Sequence, residues 1–192
     1  MRREELSELH HLTAACHLPS IVDVGILSHD RAGPRRQVDI SNPGVQDRRR
    51  LVRVPGGRRL HEYACLYVDA RNAMLFSMHE RPDLAIIAVD TRVLDIPGVV
   101  VSDRNAGAYA ALFQDAAAGI EALDAAVVRA RYWSDETRQR RQAEVLVPDV
   151  VPPGFLLHIY VPTAHAAGNV RLVIPDTTLD VHVNADLFFL GA

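Results

Sequence analysis

Apolar residues in this 192-residue chain gather in short runs that are separated by polar segments containing proline and glycine. Residues 84–89 and 99–101 are apolar and rich in β-branched side chains, which predicts two buried strands. Residues 143–147 predict a third strand, which carries a single carboxylate, Glu144. The same pattern continues toward the C-terminus and predicts short strands at residues 155–161, 170–174 and 179–183.

Helical periodicity is clearest in the alanine-rich residues 105–131. Aromatic and aliphatic side chains recur there at three- and four-residue steps, which predicts an amphipathic helix with a break near Gly119. Residues 63–78 predict a strand, a polar break and a second apolar segment. An apolar content of 48% in a chain of this length suits one core, so we predict a single α+β domain over residues 1–192 with more strand than helix.

The N-terminal part predicts a compact unit followed by a loop. Residues 11–28 predict a strand, a short helix with Pro19 in its first turn, and a turn at Gly25. Residues 29–44 are rich in Asp, Arg, Gly, Pro, Asn and Ser, which predicts a long irregular segment. Long loops in compact domains are usually functional or disordered.

Composition and charge argue against a strongly basic phosphate-binding protein, a cysteine-based metal site, and a secreted or membrane protein. The net charge of -3 gives no sign of the long-range attraction to phosphate that strongly basic proteins show. The two cysteines, Cys16 and Cys65, lack metal spacing and predict reduced thiols. The N-terminus has no apolar signal core, and no run approaches the ~18 apolar residues that span a bilayer. We therefore expect a cytoplasmic protein without a membrane segment.

Candidate chemistry begins with Glu144 and with the arginines that surround position 50. A glutamate in an apolar strand faces either solvent, which periodicity alone favours, or a cleft where cationic charge develops. The arginines at positions 48, 49, 50 and 53 suit either a pyrophosphate or a solvated surface. His10 and His11 are adjacent and point to opposite faces of a strand, so we expect no metal site there.

Six segments in order resemble the DarT family of DNA ADP-ribosyltransferase toxins. They are HLTAACHLPSIVDVGILS, VQDRRR, LHEYACLYVDARNAML, SDRNAGAYAALF, YWSDETRQRRQAEVLV and VHVNADLFF. The resemblance implies a mono-ADP-ribosyltransferase-like fold, with central mixed or antiparallel β-sheets and flanking helices. Two segments depart from the family pattern, at residues 14–17, where a polar continuation is usual, and at Ala73, where the family has proline.

The resemblance also implies where NAD binds. Residues 33–50 correspond to the NAD-binding loop of the family. Arg48 and Glu144 correspond to the catalytic pair, and Arg49 takes the place of Arg48 if the register shifts by one residue. The positions implied to contact NAD are His11, Leu12, Thr13, Ser20, Ser28 and Arg48.

Residues 103–144 are expected to form a helix followed by a loop that presents the acceptor. Tyr132 or Trp133 can stack on a base, although Trp133 could equally anchor the loop in the core. The arginines of this loop suit phosphates. The expected DNA-binding residues are Arg49, Arg71, Met74, Tyr132, Trp133, Arg138 and Arg141.

The function that the resemblance implies is transfer of ADP-ribose from NAD to a nucleobase of DNA, expected to be single-stranded, with release of nicotinamide. NAD is the co-substrate and no metal is expected. A macrodomain-type antitoxin is the expected partner. Three alternatives stay open: an RNA or protein acceptor, plain NAD hydrolysis, and a non-catalytic module that binds NAD or phosphate.

Overall fold

The computed structural model describes residues 1–35 and 37–190, and within them it contains ten strands and seven α-helices. The strands are β1 Leu9–Ala14, β2 Ile26–Leu27, β3 Tyr63–Tyr67, β4 Leu84–Val89, β5 Val100–Ser102, β6 Phe113–Asp115, β7 Glu144–Pro148, β8 Val150–Val151, β9 Leu156–Val161 and β10 Asp180–Val183. The helices are α1 Leu18–Val24, α2 His29–Ala32, α3 Pro43–Leu51, α4 Ala73–Phe76, α5 Ala116–Ala122, α6 Ala125–Val128 and α7 Ala164–Val173. Seven 3-10 turns join them, at Arg3–Glu5, Ala15–His17, Gly33–Arg35, Leu60–Glu62, Thr91–Asp95, Arg140–Gln142 and Pro153–Phe155. In the part of the chain that the structure describes, no helix has the length and apolar character needed to cross a membrane.

Eight strands form one sheet in the order β10-β9-β4-β1-β3-β7-β5-β6, and β2 and β8 form a small second sheet. Neighbouring strands are antiparallel except for β9 and β10, which are parallel. At the centre of the large sheet, β1 and β3 pair at His10 and Tyr67 alone. The two strands therefore separate beyond this pair, and a cleft opens in the middle of the sheet.

The two faces of the large sheet are covered differently. Val145 and Val147 of β7 pack into the main core cluster together with residues of α1, α5 and α7. Glu144 and Leu146 alternate with them and project from the opposite face. The catalytic candidate therefore lies on the side of the sheet away from the main core.

Most predicted strands and the predicted fold class are confirmed, but the predicted excess of strand over helix is wrong, because the described residues contain slightly more α-helix than strand. The strands at 84–89, 99–101, 143–147, 155–161 and 179–183 correspond to β4, β5, β7, β9 and β10. The unit predicted over residues 11–28 is present as β1, α1 and β2, and Gly25 at the turn has a φ of 89°. The irregular segment predicted over 29–44 contains α2 and the beginning of α3.

The strand predicted at residues 170–174 is wrong, because these residues end helix α7. Their β-branched side chains suggested a strand, but Ala166, Ala167 and Val170 are buried with Ile174 at the spacing of one helix face. The Thr163 side chain starts this helix by accepting a hydrogen bond from Ala166 N.

The long helix predicted over residues 105–131 is also wrong in its extent. Residues 105–112 form turns, β6 pairs with β5, and only α5 and α6 are helical. Asp115 and Asp124 cap the two short helices and so fix separate starting points for them. Tyr109 and Leu112, which gave the apolar period, are exposed.

Gly119 is where α5 meets the sheet, and we predict that it cannot be replaced without loss of stability. A Cβ at this position would lie 2.5 Å from Val101 Cβ. Gly119→Ala should lower the free energy of unfolding in urea by about 1–3 kcal/mol. Gly168→Ala in α7, where no atom lies within 4 Å of the added Cβ, should instead raise it by about 0.5–1 kcal/mol. Equal effects of the two substitutions would contradict this packing.

Candidate active site

A concave site lies where β1 and β3 separate at the centre of the sheet. Strands β1, β3 and β7, helices α1 and α3, and the segment between α2 and α3 all contribute to its wall. Its exposed surface is mainly apolar, and many polar side chains converge on it, which suits a small-molecule ligand that has both apolar and polar parts. This cleft is the candidate active site.

Glu144 and Arg49 form a buried ion pair in the wall of the cleft. Arg49 Nη1 lies 2.9 Å from Glu144 Oε1, and Arg49 Nη2 lies 2.8 Å from Oε2. The two residues are 7% and 1% exposed. Ala106 N also donates to Oε1, at 3.0 Å. The carboxylate is therefore held by three donors, and its orientation is set before any ligand binds.

Helix α3 explains why Arg49 and not Arg48 reaches the carboxylate. The Asn42 side chain caps α3 by accepting a hydrogen bond from Val45 N. Val45 and Arg49 are four residues apart and share the face of α3 that lines the cleft, whereas Arg48 is exposed on another face. The structure thus brings the second arginine of the series to Glu144 and leaves the first in solvent.

Close packing holds the Arg49 side chain in place. A Cβ at Gly107 would lie 2.8 Å from Arg49 Cγ, so the glycine leaves room for the arginine. Arg49 Nη2 also lies 3.0 Å from Cys65 Sγ. Burial by itself lowers the pKa of Arg49, but the Glu144 carboxylate, helped by Cys65, raises this pKa well above its ordinary value. Arg49 is therefore a permanent cation.

Cys65 and Tyr67 line the cleft beside this pair. Burial, reinforced by the negative charge of Glu144, raises the pKa of the Cys65 thiol to about 12, although Arg49 opposes the shift. Burial and Glu144 also raise the pKa of Tyr67. Both groups are neutral near pH 7, so Cys65 is not a thiolate nucleophile.

His11 also lines the cleft and is held there as a neutral imidazole. Burial lowers its pKa to about 4, against an ordinary value of 6.5. His11 Nδ1 lies 3.1 Å from the Cys65 carbonyl oxygen. Because a carbonyl only accepts, Nδ1 carries the proton, and Nε2 is left as an acceptor that can bind a hydroxyl group.

His17 was expected only as a departure from the family pattern, and the structure gives it a role in shaping the cleft. His17 Nδ1 lies 3.1 Å from Thr13 Oγ1, and Val38 N donates to His17 Nε2 at 3.2 Å. These contacts connect β1 to the segment between α2 and α3.

Asn105, Cys65 and Gln46 also line the cleft and were missed as site residues. All three lie in segments that resemble the family, namely VQDRRR, LHEYACLYVDARNAML and SDRNAGAYAALF, and this resemblance was the signal that could have found them.

The predicted NAD-binding residues separate into two groups. His11, Leu12, Thr13 and Ser20 line the cleft together. Ser28 lies outside the residues that line it, and its buried hydroxyl caps α2 by accepting from Arg31 N. Of the predicted loop at 33–50, the second half is α3, and residue 36 lies outside the described residues.

The predicted DNA-binding residues also differ in their surroundings. Met74 lines the cleft, Tyr132 and Arg138 are exposed, and Trp133 is half-buried against other aromatic rings. Arg71 is half-buried and donates to two main-chain carbonyls.

Arg141 was predicted to contact phosphates, and the structure places it inside the protein. It is 1% exposed, donates to the carbonyls of Val128 and Ala130, and lies 3.2 Å from Asp69. A side chain without exposed surface cannot reach a phosphate in solution. Arg141 therefore supports the loop that precedes β7.

No metal site is apparent among the side chains of residues 1–35 and 37–190. Within these ranges, no group of three or more His, Cys, Asp or Glu residues is arranged to hold a metal ion.

The low pKa of His11 predicts a stability that depends on pH. The unfolded chain binds a proton near pH 6.5 and the folded chain near pH 4, so stability rises with pH between these values and falls as the pH is lowered. Between pH 7.5 and pH 4, the free energy of unfolding of His11→Gln in urea should fall by about 2–3 kcal/mol less than that of the wild type. His165→Gln, at an exposed position of α7, serves as the control. An unchanged slope in His11→Gln would show that His11 is not held neutral.

Comparison with known proteins identifies the family. Residues 10–189 match the family described as "ssDNA thymidine ADP-ribosyltransferase, DarT". A DNA ADP-ribosyl transferase of Thermus aquaticus is 31% identical over 75% of this chain and 70% of that protein. A DNA ADP-ribosyl transferase-DNA ADP-ribosyl glycohydrolase fusion protein of Thermosipho africanus is 28% identical over 95% of this chain. The chain spans 50% of the length of that fusion protein.

Solved structures show the same fold. The structure of Thermus sp. 2.9 DarT in complex with ADP-ribosylated ssDNA matches with a TM-score of 0.86 at 24% identity, over 95% of this chain and 96% of that chain. Thermosipho africanus DarTG in complex with ADP-ribose matches with a TM-score of 0.85 at 26% identity, over 95% of this chain and 51% of that chain. The extent of the family match and the shared fold show that this chain belongs to the DarT family.

Proposed function

We propose that this protein transfers ADP-ribose from NAD to a base of single-stranded DNA and releases nicotinamide. The observation that carries the proposal is the buried pair of Arg49 and Glu144, held by two hydrogen bonds in a cleft of the DarT fold. A fixed carboxylate at such a place is suited to a reaction in which positive charge develops on a sugar.

Glu144 is proposed as the catalytic carboxylate. When the bond between nicotinamide and C1′ of the ribose breaks, the bonding electrons leave with nicotinamide and positive charge develops at the sugar. A carboxylate held near that carbon stabilises the charge without having to reorganise. A nitrogen of the acceptor base then forms the new bond to C1′, and the Glu144 carboxylate accepts the proton that this nitrogen loses.

Arg49 is proposed in place of Arg48 as the catalytic arginine. Its pKa prevents it from accepting a proton, so its role is to orient Glu144 and to stabilise negative charge on the acceptor base as that base loses its proton. Arg48 is exposed and has no place in this proposal.

We also propose that NAD binds in this cleft. We assign His11, Leu12, Thr13 and Ser20 to the dinucleotide, with His11 Nε2 as the acceptor for a ribose hydroxyl. Residues 33–50 form the NAD-binding element on this proposal, and contact between His17 and Val38 N supports that part of the wall. Ser28 is left out because its hydroxyl caps α2.

The relatives suggest the acceptor and the partner. The family is described by its action on thymidine of ssDNA, and the Thermus sp. 2.9 protein is known in complexes with NAD+ and with ADP-ribosylated ssDNA. The Thermosipho africanus protein joins its transferase to a DNA ADP-ribosyl glycohydrolase. We propose thymine as the acceptor, a cytoplasmic toxin as the biological role, and a macrodomain-type glycohydrolase as the antitoxin.

The test is incubation of the protein with radiolabelled NAD and four single-stranded oligonucleotides, each lacking one of the four bases. We expect label on every oligonucleotide except the one without thymine, and no label with Glu144→Gln. Release of nicotinamide without labelled DNA would overturn the DNA acceptor and favour RNA, protein or water. If neither product forms, the chain is a binding module.

A further inference from the structure

A cluster of aromatic rings lies beside the cleft and has no part in the chemistry proposed above. The Phe76 ring stacks on His79, with centroids 5.0 Å apart and planes within 6°. It also makes edge contacts with Trp133 at 5.9 Å and with Phe189 at 5.1 Å. Trp133 and Phe189 contact each other at 6.0 Å. We call these four residues the aromatic cluster.

Helix α4 connects this cluster to the cleft. The side chain of Asn72, which is fully buried, caps the helix by accepting from the main-chain nitrogens of Met74 and Leu75. Leu75 is buried in the core beneath the helix. Met74 lines the cleft, and Phe76 follows it two residues later with 48% of its surface exposed. The cluster is therefore joined to the wall of the cleft through the short helix α4, which the Asn72 cap and buried Leu75 hold in place.

The C-terminal segment builds the other side of the cluster. Phe188 is completely buried, and the next residue, Phe189, has a φ of 64°. A non-glycine residue rarely adopts this conformation, which costs conformational energy and places the two rings in different environments. The guanidinium of Arg71 lies 4.2 Å from the centre of the Phe189 ring, within the range of a cation–π contact.

Two arginines lie beside the aromatic cluster. Arg71 donates to the main-chain carbonyls of Asp186 and Arg131, which ties the C-terminal segment to the loop that carries Trp133. Arg131 and Tyr132 are exposed beside that loop, and Arg131 pairs with Asp186. An aromatic surface bordered by arginines suits a ligand that combines a flat ring with a negatively charged backbone.

From this arrangement we propose that the aromatic cluster is the stacking site for a base that neighbours the acceptor base in the single strand. The proposal rests on the proposed function, because the cleft itself takes the acceptor base. Phe76 supplies the exposed ring surface, Trp133 and Phe189 hold it in place, and Arg71 and Arg131 lie where the phosphates pass. Stacking accepts any base, so this site sets position along the strand more than sequence.

The experiment uses single-stranded oligonucleotides with one thymine, in which an abasic site replaces each neighbouring nucleotide in turn. With the wild-type protein, one neighbouring position should require its base, and its removal should lower kcat/KM by about tenfold. Phe76→Leu should lose this requirement, with about tenfold weaker activity on the intact strand, because leucine keeps the apolar contact but not the aromatic ring. Phe76→Tyr keeps an aromatic ring and should keep the requirement for the base at that position.

Two controls separate this site from folding and from the reaction itself. Leu172→Ala alters a residue of α7 that is 80% exposed, and it should leave both labelling and the abasic pattern unchanged. Thermal unfolding of each variant checks that the fold is retained. Binding of the fluorescent oligonucleotide, followed by anisotropy, measures stacking whether or not ADP-ribose is transferred.

The outcomes are distinct. Weaker binding by Phe76→Leu together with loss of the abasic pattern supports the stacking site. If the wild type binds the oligonucleotide without labelling it, the proposed function is overturned. The affinity of Phe76→Leu for the same oligonucleotide then still decides whether the aromatic cluster is a stacking site. Equal affinity and an equal abasic pattern in Phe76→Leu and the wild type would overturn the stacking site. Absence of any oligonucleotide binding by the wild type would do the same.

Discussion

Glu144→Gln is expected to reduce transfer of ADP-ribose by about a hundredfold or more, which is the loss that follows removal of one preorganised electrostatic group from an active site. Glutamine has nearly the same shape as glutamate, but it cannot stabilise positive charge on the ribose. The rate should be measured with labelled NAD and a thymine-containing single strand. Glu121→Gln removes the same charge from an exposed position of α5 and should retain wild-type activity.

Stability must be measured beside activity, because Glu144 is also the counter-ion of buried Arg49. Removing one partner of a buried pair costs about 3–5 kcal/mol, since the other charge is left without compensation. We therefore expect Glu144→Gln to unfold at a lower urea concentration than the wild type. In the absence of urea, it should still be folded at 10 °C. A folded Glu144→Gln with wild-type transfer would show that Glu144 is only a structural counter-ion.

Arg49→Ala is expected to abolish measurable transfer and to destabilise the fold by about 3–5 kcal/mol, because it leaves the Glu144 carboxylate buried without its partner. Arg48→Ala changes an adjacent exposed arginine and should alter the free energy of unfolding by no more than about 0.5 kcal/mol. Its transfer rate should stay within about twofold of wild type. This pair of variants is matched in residue type, and it differs only in which side of α3 the side chain occupies.

Two further variants distinguish the role of Arg49 in catalysis from its role in stability. Arg49→Lys keeps the charge but loses the two-pronged contact with Glu144, so stability should recover more than activity does. The double variant Arg49→Ala/Glu144→Gln should be more stable than the sum of the two single effects predicts, because no uncompensated charge remains. If Arg48→Ala is inactive and Arg49→Ala keeps transfer, the catalytic arginine is Arg48 and the buried pair is structural.

Sequence patterns predicted most of the strands, including the one that carries Glu144, because these depend on neighbours along the chain. Residues 84–89 are apolar throughout, and a strand with both faces covered has that composition. Glu144 stood out as the one carboxylate of an apolar strand. Whether it faced solvent or a cleft depended on Arg49, which is 95 residues away in the chain.

Helical phase explains the difference between Arg48 and Arg49. Three consecutive arginines occupy positions 48–50, and successive residues of a helix point about 100° apart. Which of them faces the cleft is set by where α3 starts and how it packs, and Asn42 and Gly107 decide this. Arg141 shows the same limit, because its carbonyl and carboxylate partners come from segments that no local pattern connects.

The sequence by itself determined the fold class, most of the strands, the family resemblance and the glutamate at the start of β7, since each is expressed in local composition or in short ordered segments. Only the tertiary structure decided which arginine meets Glu144, that Arg141 is internal, and that residues 170–174 end a helix. It also brought Phe76, Trp133 and Phe189 together from three distant segments. The physical reason is that local periodicity specifies which residues share a face, while long-range packing specifies what that face contacts.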